Sequence, residues 1–227
     1  MFKGKQVYCF IPARGGSKGI KGKNIKKLNG KPLIVHSIDT AKDVKLIDKI
    51  FVSTENIKIK KIAERHGTEI IDRPKKLAED DANFHHVLKH MIKCIPDAKN
   101  AIIVIFWPTT PIRNPKDIEK CIKLYNEKID CVISVIESKI RPSWLFVEQE
   151  GMLKFWQKGN PEPNRQQQQK FYYINGGVVV TSGEFLMKQK NIFVGGKMKK
   201  FIMDEKHSMD IDTEFDFQLC EFITKSL

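Results

Sequence analysis

The sequence predicts an α/β domain, with a mainly parallel β-sheet, helices on both faces, and an inserted arm at about residues 139–172. Three observations carry that expectation. Short apolar runs rich in Val, Ile and Phe recur through the first 137 residues, separated by segments whose apolar residues repeat with helical spacing. Strands and helices that alternate in this way build a parallel sheet, because each helix returns the chain to the same sheet edge. The rhythm then breaks in a stretch rich in Pro, Gln, Trp and Gly. One domain spanning residues 1–227 is the simplest organisation at this length.

Taken in order, Gln6–Pro12 (QVYCFIP) reads as a buried first strand that runs into a glycine-rich loop. Leu33–Val44 follows as a helix, with Leu33, Ile34, Ile38 and Ala41 on one stripe. Lys49–Ser53 is a strand, Ile57–His66 a helix and Glu69–Asp72 a short strand. Phe84–Ile95 is a helix, and Ala101–Phe106 (AIIVIF) is a buried strand. Asn114 as N-cap, with Pro115 in the first helical position, starts a helix to about Lys128, and Cys131–Ile136 is the next strand. Strand-like pieces at Trp144–Glu148 and Leu153–Trp156 make the arm a hairpin, a usual place for a dimer contact. Tyr172–Thr181 returns to a strand, Glu184–Lys190 to a short helix and Lys200–Met203 to a strand. Thr213–Lys225 closes the chain as a helix whose expected buried stripe is Phe215, Leu219, Phe222 and Ile223.

Composition narrows the function classes. With 41% hydrophobic and 30% charged residues, the chain is neither disordered nor collagen-like. No apolar run approaches the roughly 18 residues of a membrane span. Val7–Pro12 is too short for a signal-peptide core. Five scattered cysteines without a C-x-x-C fit free thiols in a reducing compartment, so a cytoplasmic protein with no membrane partner is expected. The formal net charge is +13, yet all but six of the 40 basic residues are lysine. Nucleic-acid readers favour the bidentate arginine fork, and the chain has no aromatic-interleaved basic motif or recognition helix. A nucleic-acid-binding module is therefore a remote alternative, and no nucleic-acid partner is expected.

The chemistry concentrates in two places. After the first strand comes Pro12-Ala13-Arg14-Gly15-Gly16-Ser17-Lys18-Gly19-Ile20-Lys21-Gly22-Lys23-Asn24. Its glycines let several N–H groups converge on one anion, and Arg14, Lys18, Lys21 and Lys23 add fixed charge, which suits a polyphosphate at the carboxyl end of a strand. It is not a P-loop, since Ser17 stands where the first glycine belongs and Asn24 follows Lys23. Near the other end, Met209-Asp210-Ile211-Asp212-Thr213 sets two carboxylates two residues apart. In extended backbone both face one way and suit Mg²⁺ bridged to phosphate. Helix capping explains the same residues, with Asp212 or Thr213 as N-cap and Asp216 completing a capping box. His86 and His90 have helical spacing, but Val87 replaces the Glu of a metalloprotease motif. No activated nucleophile stands out, which fits chemistry that positions substrates and stabilises charge.

At these residues the chain resembles the acylneuraminate cytidylyltransferases, the CMP-N-acylneuraminate synthetases. The likeness spans nearly the whole chain: IPARGGSKGIKGKN at 11–24, KIFVSTEN at 49–56, RPKKLAEDDA at 73–82, PTTPIR at 108–113, NRQ at 164–166, YINGGVVV at 173–180 and SMDIDTEFD at 208–216. It implies a Rossmann-like nucleotidyltransferase fold whose inserted arm serves a homodimer. It also implies transfer of CMP from CTP to the anomeric hydroxyl of a nonulosonic acid, with Mg²⁺ as cofactor and pyrophosphate as product. By position, Arg14, Lys18 and Lys23 would hold the triphosphate within the loop that includes Gly15, Gly16 and Ser17. Asn24 and Arg73 would face cytosine, with Asp80 and Asn83 near the nucleoside. Arg165 would meet the sugar carboxylate beside Gln166, Asn175 would line the sugar pocket, and Asp210 and Asp212 would bind Mg²⁺. Arg14, Lys23 and Asp212 would be the catalytic set.

Three positions depart from the sialic-acid pattern: Trp107 where a Gln contacts the sugar, Trp144 where a Lys binds its carboxylate, and Val179 where a Tyr lines the site. Apolar replacements favour a deoxygenated acceptor such as legionaminic or pseudaminic acid over N-acetylneuraminic acid. Another keto-acid sugar or a sugar phosphate is the alternative acceptor within the same fold.

Overall fold

The first strand, β1 (Val7–Pro12), is buried along its whole length, and its side chains divide between two cores. The computed structural model describes residues 1–156, 169–193 and 196–225. After β1 the chain forms a small ribbon of β2 (Lys27–Leu28) and β3 (Lys31–Pro32), then α1 (Leu33–Asp43), β4 (Lys49–Thr54), α2 (Ile57–Arg65) and β5 (Glu69–Asp72). Next come α3 (Phe84–Cys94), β6 (Ile102–Ile105), α4 (Pro115–Leu124) and β7 (Cys131–Glu137). A hairpin of β8 (Phe146–Gln149) and β9 (Met152–Phe155) follows, then β10 (Tyr172–Ser182), α5 (Gly183–Lys188), β11 (Met198–Ile202) and α6 (Glu214–Lys225).

Seven strands form the central sheet in the order β11-β7-β10-β6-β1-β4-β5. Val7, Cys9 and Ile11 of β1 point to one face, where α1, α2 and α4 supply Ile34, Ile38, Ile59, Ala63, Ile118 and Ile122. Tyr8 and Phe10 point to the other, where α3 and α5 supply Leu88, Met91, Ile92 and Leu186. Both faces are covered, so the strands are apolar throughout rather than alternating.

The sheet is mainly parallel, as expected, with one exception. β10 runs antiparallel to both neighbours, β6 and β7. No crossover helix links β7 to β10 among the described residues, and two sheet neighbours joined without one run in opposite directions. Two further expectations are corrected. α4 ends at Leu124, four residues short of Lys128, because Asn126 turns the chain by accepting from the Lys128 N–H through Oδ1 at 2.9 Å. The buried stripe of α6 is Phe217 and Cys220, with Ile223 partly covered, whereas Phe215, Leu219 and Phe222 are exposed. The helix rotates this way because Phe217 and Cys220 meet a small platform of Ile20, Leu28, Leu33, Ile112 and Ile211. Lys26 lies over the Phe217 ring at 4.3 Å and pairs with Glu214, which fixes that rotation.

In the arm, Trp144 sits in a single-turn 3-10 helix (Pro142–Trp144) that precedes β8 rather than in a strand, half-exposed beneath the Arg141 guanidinium. Among the described residues, no helix is long and apolar enough to cross a membrane.

Candidate active site

The carboxyl ends of β1, β4, β5, β6, β7 and β11, together with the beginning of β10, gather at one edge of the sheet. The glycine-rich loop leaves β1 there. Arg14 donates from Nη1 to Asp80 Oδ1 at 2.9 Å and to the Glu79 carbonyl at 3.3 Å. Lys18 reaches the other oxygen of Asp80 at 2.9 Å. Hydrogen bonds from Lys18 and then Arg14 hold the exposed Asp80 carboxyl below its usual range. One carboxylate thus takes both loop cations, in the way a phosphate would.

Lys23 is buried, and its ammonium donates to the Ile211 carbonyl at 2.6 Å and to Asp212 Oδ1 at 3.1 Å. The loop backbone lies just as close to that segment. A side chain on Gly19 would place its first carbon 2.4 Å from the Asp212 carbonyl oxygen, so only glycine fits there. Gly15 donates its N–H to Glu55 at the end of β4, and Ser17 donates its own N–H to the Gly15 carbonyl at 3.3 Å. Gly16 has open space around it.

Asn24 and Arg73 are both buried and both brace backbone. Asn24 Nδ2 donates to the Arg14 carbonyl at 2.8 Å. Arg73 donates from Nη2 to the Ser53 carbonyl at 2.7 Å, and burial lowers its pKa to about 10. Asn83 caps α3, its Oδ1 accepting from the His85 N–H at 2.9 Å.

Asp210 and Asp212 flank the buried Ile211, whose N–H donates to the Thr109 carbonyl at 2.8 Å. Burial raises the Asp210 pKa, opposed by a hydrogen bond from Thr109, and the neighbouring charge of Asp212 raises it further. The capping reading of this segment holds at Thr213. Thr213 and Asp216 bond reciprocally, Asp216 Oδ2 accepting from the Thr213 N–H at 2.7 Å and Thr213 Oγ1 from the Asp216 N–H at 3.2 Å.

Between Ile174 and Val179 the β10–β7 register slips, and Asn175, Gly176 and Gly177 bulge out of the ladder. The buried Asn175 fastens the bulge. Its Oδ1 accepts from Ser134 Oγ at 2.6 Å and from the Gly177 N–H at 3.1 Å, and its Nδ2 donates to Ser208 Oγ at 2.7 Å. Gly176 has a φ of +65°, and a first side-chain carbon there would lie 2.9 Å from the Thr110 hydroxyl. Beside the bulge opens a cavity of about 970 Å³ that Asn175 and Asp210 line together with Lys139, Ile140, Leu145 and Tyr173.

The structure does not bring every expected sugar-site residue to this cavity. Trp107 follows Phe106 at the end of β6 and turns to the opposite face. There it stacks between Phe84, at 5.3 Å, and Phe193, at 6.3 Å. Val179 is a core residue, opposite Ile105 and Ile133 in the sheet, in the same apolar cluster that Trp107 packs against. Arg165 and Gln166 lie outside the described residues.

Arg113, quoted in the PTTPIR run without a role, proves to be central. It is buried, donates from Nε to the Gly177 carbonyl at 2.5 Å and from Nη1 to Ser37 Oγ at 3.0 Å, and lies over the Phe106 ring at 4.6 Å. The signal in the sequence was the arginine of the TTPIR turn just before the Asn114 N-cap. Of the two histidines at helical spacing, His86 is exposed, and His90 lies 3.6 Å from Cys94 Sγ. Among the described residues, no three His, Cys, Asp or Glu side chains group as a metal cage.

Residues 8–194 match the family model for cytidylyltransferase. The chain belongs to the cytidylyltransferase family. It is 32% identical to the N-acylneuraminate cytidylyltransferase of Escherichia coli over 94% of its own length, and spans about half (51%) of that longer relative. It is 27% identical to the CMP-N,N'-diacetyllegionaminic acid synthase of Legionella pneumophila, covering 95% of each chain. Among solved structures, CMP:2-keto-3-deoxy-manno-octonic acid synthetase complexed with CTP superposes with a TM-score of 0.75 at 14% identity. The match covers 98% of this chain and 100% of that one, a likeness of fold. The α/β architecture expected from the cytidylyltransferase resemblance is therefore the one found.

Proposed function

We propose that this cytidylyltransferase transfers CMP from CTP to the anomeric hydroxyl of a nonulosonic acid and releases pyrophosphate. One observation carries the reading. The cation-bearing glycine loop and the Asp210–Asp212 pair, from opposite ends of the chain, meet through Lys23 beside a cavity large enough for a sugar acid. The relatives that activate sialic and legionaminic acids supply the substrate class by similarity.

In this reading Arg14 and Lys18 exchange the Asp80 carboxylate for phosphate oxygens, and Lys23 steadies charge on the departing pyrophosphate. The anomeric oxygen bonds to the α-phosphorus as the bond to the pyrophosphate oxygen breaks, and the hydroxyl proton is released. Asp210 and Asp212 are the residues that would hold Mg²⁺. Their donors are hard oxygens, and burial, with a smaller contribution from the Asp212 charge, disfavours the bare Asp210 carboxylate, which a bound cation would offset. Mg²⁺ bound there would neutralise phosphate charge and acidify the attacking hydroxyl. Arg165 would meet the sugar carboxylate, and a homodimer built through the arm would complete the site, in the cytoplasm.

The cavity wall of Ile140, Pro142, Leu145, Phe171 and Ile174 favours an acceptor with deoxy or acyl groups over one rich in hydroxyls. A pyrophosphate-release assay with CTP, UTP and GTP against a panel of nonulosonic acids tests both claims. Selective CTP turnover with a legionaminic- or pseudaminic-type acid is expected. A preference for UTP or GTP defeats the cytidylyl reading, and activity on N-acetylneuraminic acid alone defeats the apolar-acceptor reading.

A further inference from the structure

We infer that Arg113 is the positioning residue for Asp210, acting through the two backbone segments that hold the Asp210 carboxylate from either side. The inference rests on the reading of Asp210 as a metal ligand and adds the residue that fixes its place.

Asp210 lies between the turn after β6 and the bulge of β10. On the first side lies Thr109, whose carbonyl receives the N–H of Ile211, the residue after Asp210, at 2.8 Å. On the second side lies Gly176, where a first side-chain carbon would come within 3.8 Å of the Asp210 carboxyl carbon. Arg113 reaches both. Its Nη2 donates to the Trp107 carbonyl, which also receives the Thr110 N–H at 3.1 Å, so the guanidinium sets the turn that carries Thr109. The same Nη2 lies 3.4 Å from the Gly176 carbonyl, and Nε donates to the Gly177 carbonyl at 2.5 Å. Nη1 anchors the fork to Ser37 on α1, a fully buried hydroxyl.

A buried guanidinium normally takes a carboxylate partner, because desolvating an unpaired cation is costly. Arg113 forms no ion pair within 4 Å among the described residues; the Phe106 ring and four backbone or hydroxyl oxygens surround it instead. Among the described residues, the carboxylate whose charge acts on it is that of Asp210. A planar fork with several donors at fixed angles can hold two backbone segments at a set separation, which an ammonium cannot do. That accounts for an arginine, rather than a lysine or an apolar residue, at this place in the core.

The test uses the full chain with Arg113→Lys, Ser37→Ala and Asp210→Asn variants. Titration calorimetry with Mn²⁺ reports the metal site, and amide hydrogen exchange reports Ile211 and Gly176. Arg113→Lys is expected to weaken Mn²⁺ binding by about tenfold, within the range known for outer-shell supports of a metal site. It is also expected to accelerate exchange at Ile211 and to lower kcat with KM for CTP nearly unchanged. Ser37→Ala removes one acceptor, keeps the fold and shifts the same readouts in the same direction, so it carries the test if Arg113→Lys does not fold. Wild-type Mn²⁺ affinity and wild-type exchange in a folded variant, with only Tm lowered, overturn the inference and leave Arg113 a packing residue. If Asp210→Asn binds Mn²⁺ as tightly as wild type, the metal reading of Asp210 falls. Exchange at Ile211 and Gly176 then decides the positioning claim alone: faster exchange sustains it and unchanged exchange overturns it.

Discussion

Lys23 and Asp212 stand 189 residues apart in sequence and meet in a 3.1 Å ion pair, while the same ammonium caps the Ile211 carbonyl at 2.6 Å. One buried side chain therefore fastens the glycine-rich loop to the carboxylate pair. Lys23→Met keeps the alkyl stem and removes the charge. Turnover with CTP is expected to fall by about 10²–10³, the scale for losing one preorganised electrostatic donor. Stability is expected to fall by about 1–3 kcal/mol, since the Ile211 carbonyl loses its donor. Pyrophosphate release and urea unfolding measure the two effects, and near-wild-type turnover would remove Lys23 from the phosphate chemistry.

Asp212 is largely exposed, so its amide variant tests charge without disturbing packing. Asp212→Asn is expected to abolish turnover while the protein stays folded and still binds CTP. Chelating divalent cations from the wild-type assay should reach the same floor. Calorimetry with CTP and the pyrophosphate assay check this, and wild-type turnover in the variant sinks the metal assignment.

Gly176 combines a left-handed φ of +65° with the Thr110 hydroxyl 2.9 Å from where a Cβ would stand. Gly176→Ala is expected to cost about 1–3 kcal/mol from backbone strain and crowding together. Adding Thr110→Ala, which clears the hydroxyl, should recover part of that loss in chemical unfolding. Full additivity of the two single changes would show that the two residues do not touch energetically.

The rotation of α6 gives a paired test. Phe217 is 4% exposed and Phe215 is 71% exposed. Phe217→Ala should cost about 3–5 kcal/mol, as for other buried phenylalanines. Phe215→Ala should stay within about 0.5 kcal/mol. Equal losses in thermal or urea unfolding would contradict the observed packing.

The strands and helices up to β7 were legible because a doubly covered strand is apolar at every position and a crossover helix is apolar on one stripe. β1, with Val7, Cys9 and Ile11 on one side and Tyr8 and Phe10 on the other, could hardly be read otherwise. The loop cations and Asp210–Asp212 were legible as local patterns. What escaped depends on contacts between distant segments. The α6 sequence offers two apolar stripes, and only the platform around Leu28 and Ile211 chooses between them. Val179 and Trp107 were placed by likeness, and only the fold shows that both face one apolar cluster, where Trp107 stacks on Phe84. Arg113 gave almost no signal, because its partners are carbonyls, which no sequence pattern records.

The position of β10 also orders the molecule in time. A chain emerging from the ribosome delivers β1, β4, β5 and β6 first, and these four are adjacent in the sheet. They can assemble with their helices while the remainder is still being made. β7 emerges without either of its final neighbours and must wait until Val179, Val180 and Thr181 arrive to bridge it to β6. Long-range pairing of this kind is the slow part of building a sheet. The loop that carries Arg14 and Lys18 is thus seated on a nascent half-domain, and Asn175 and Asp210 join it only after β7 has been made.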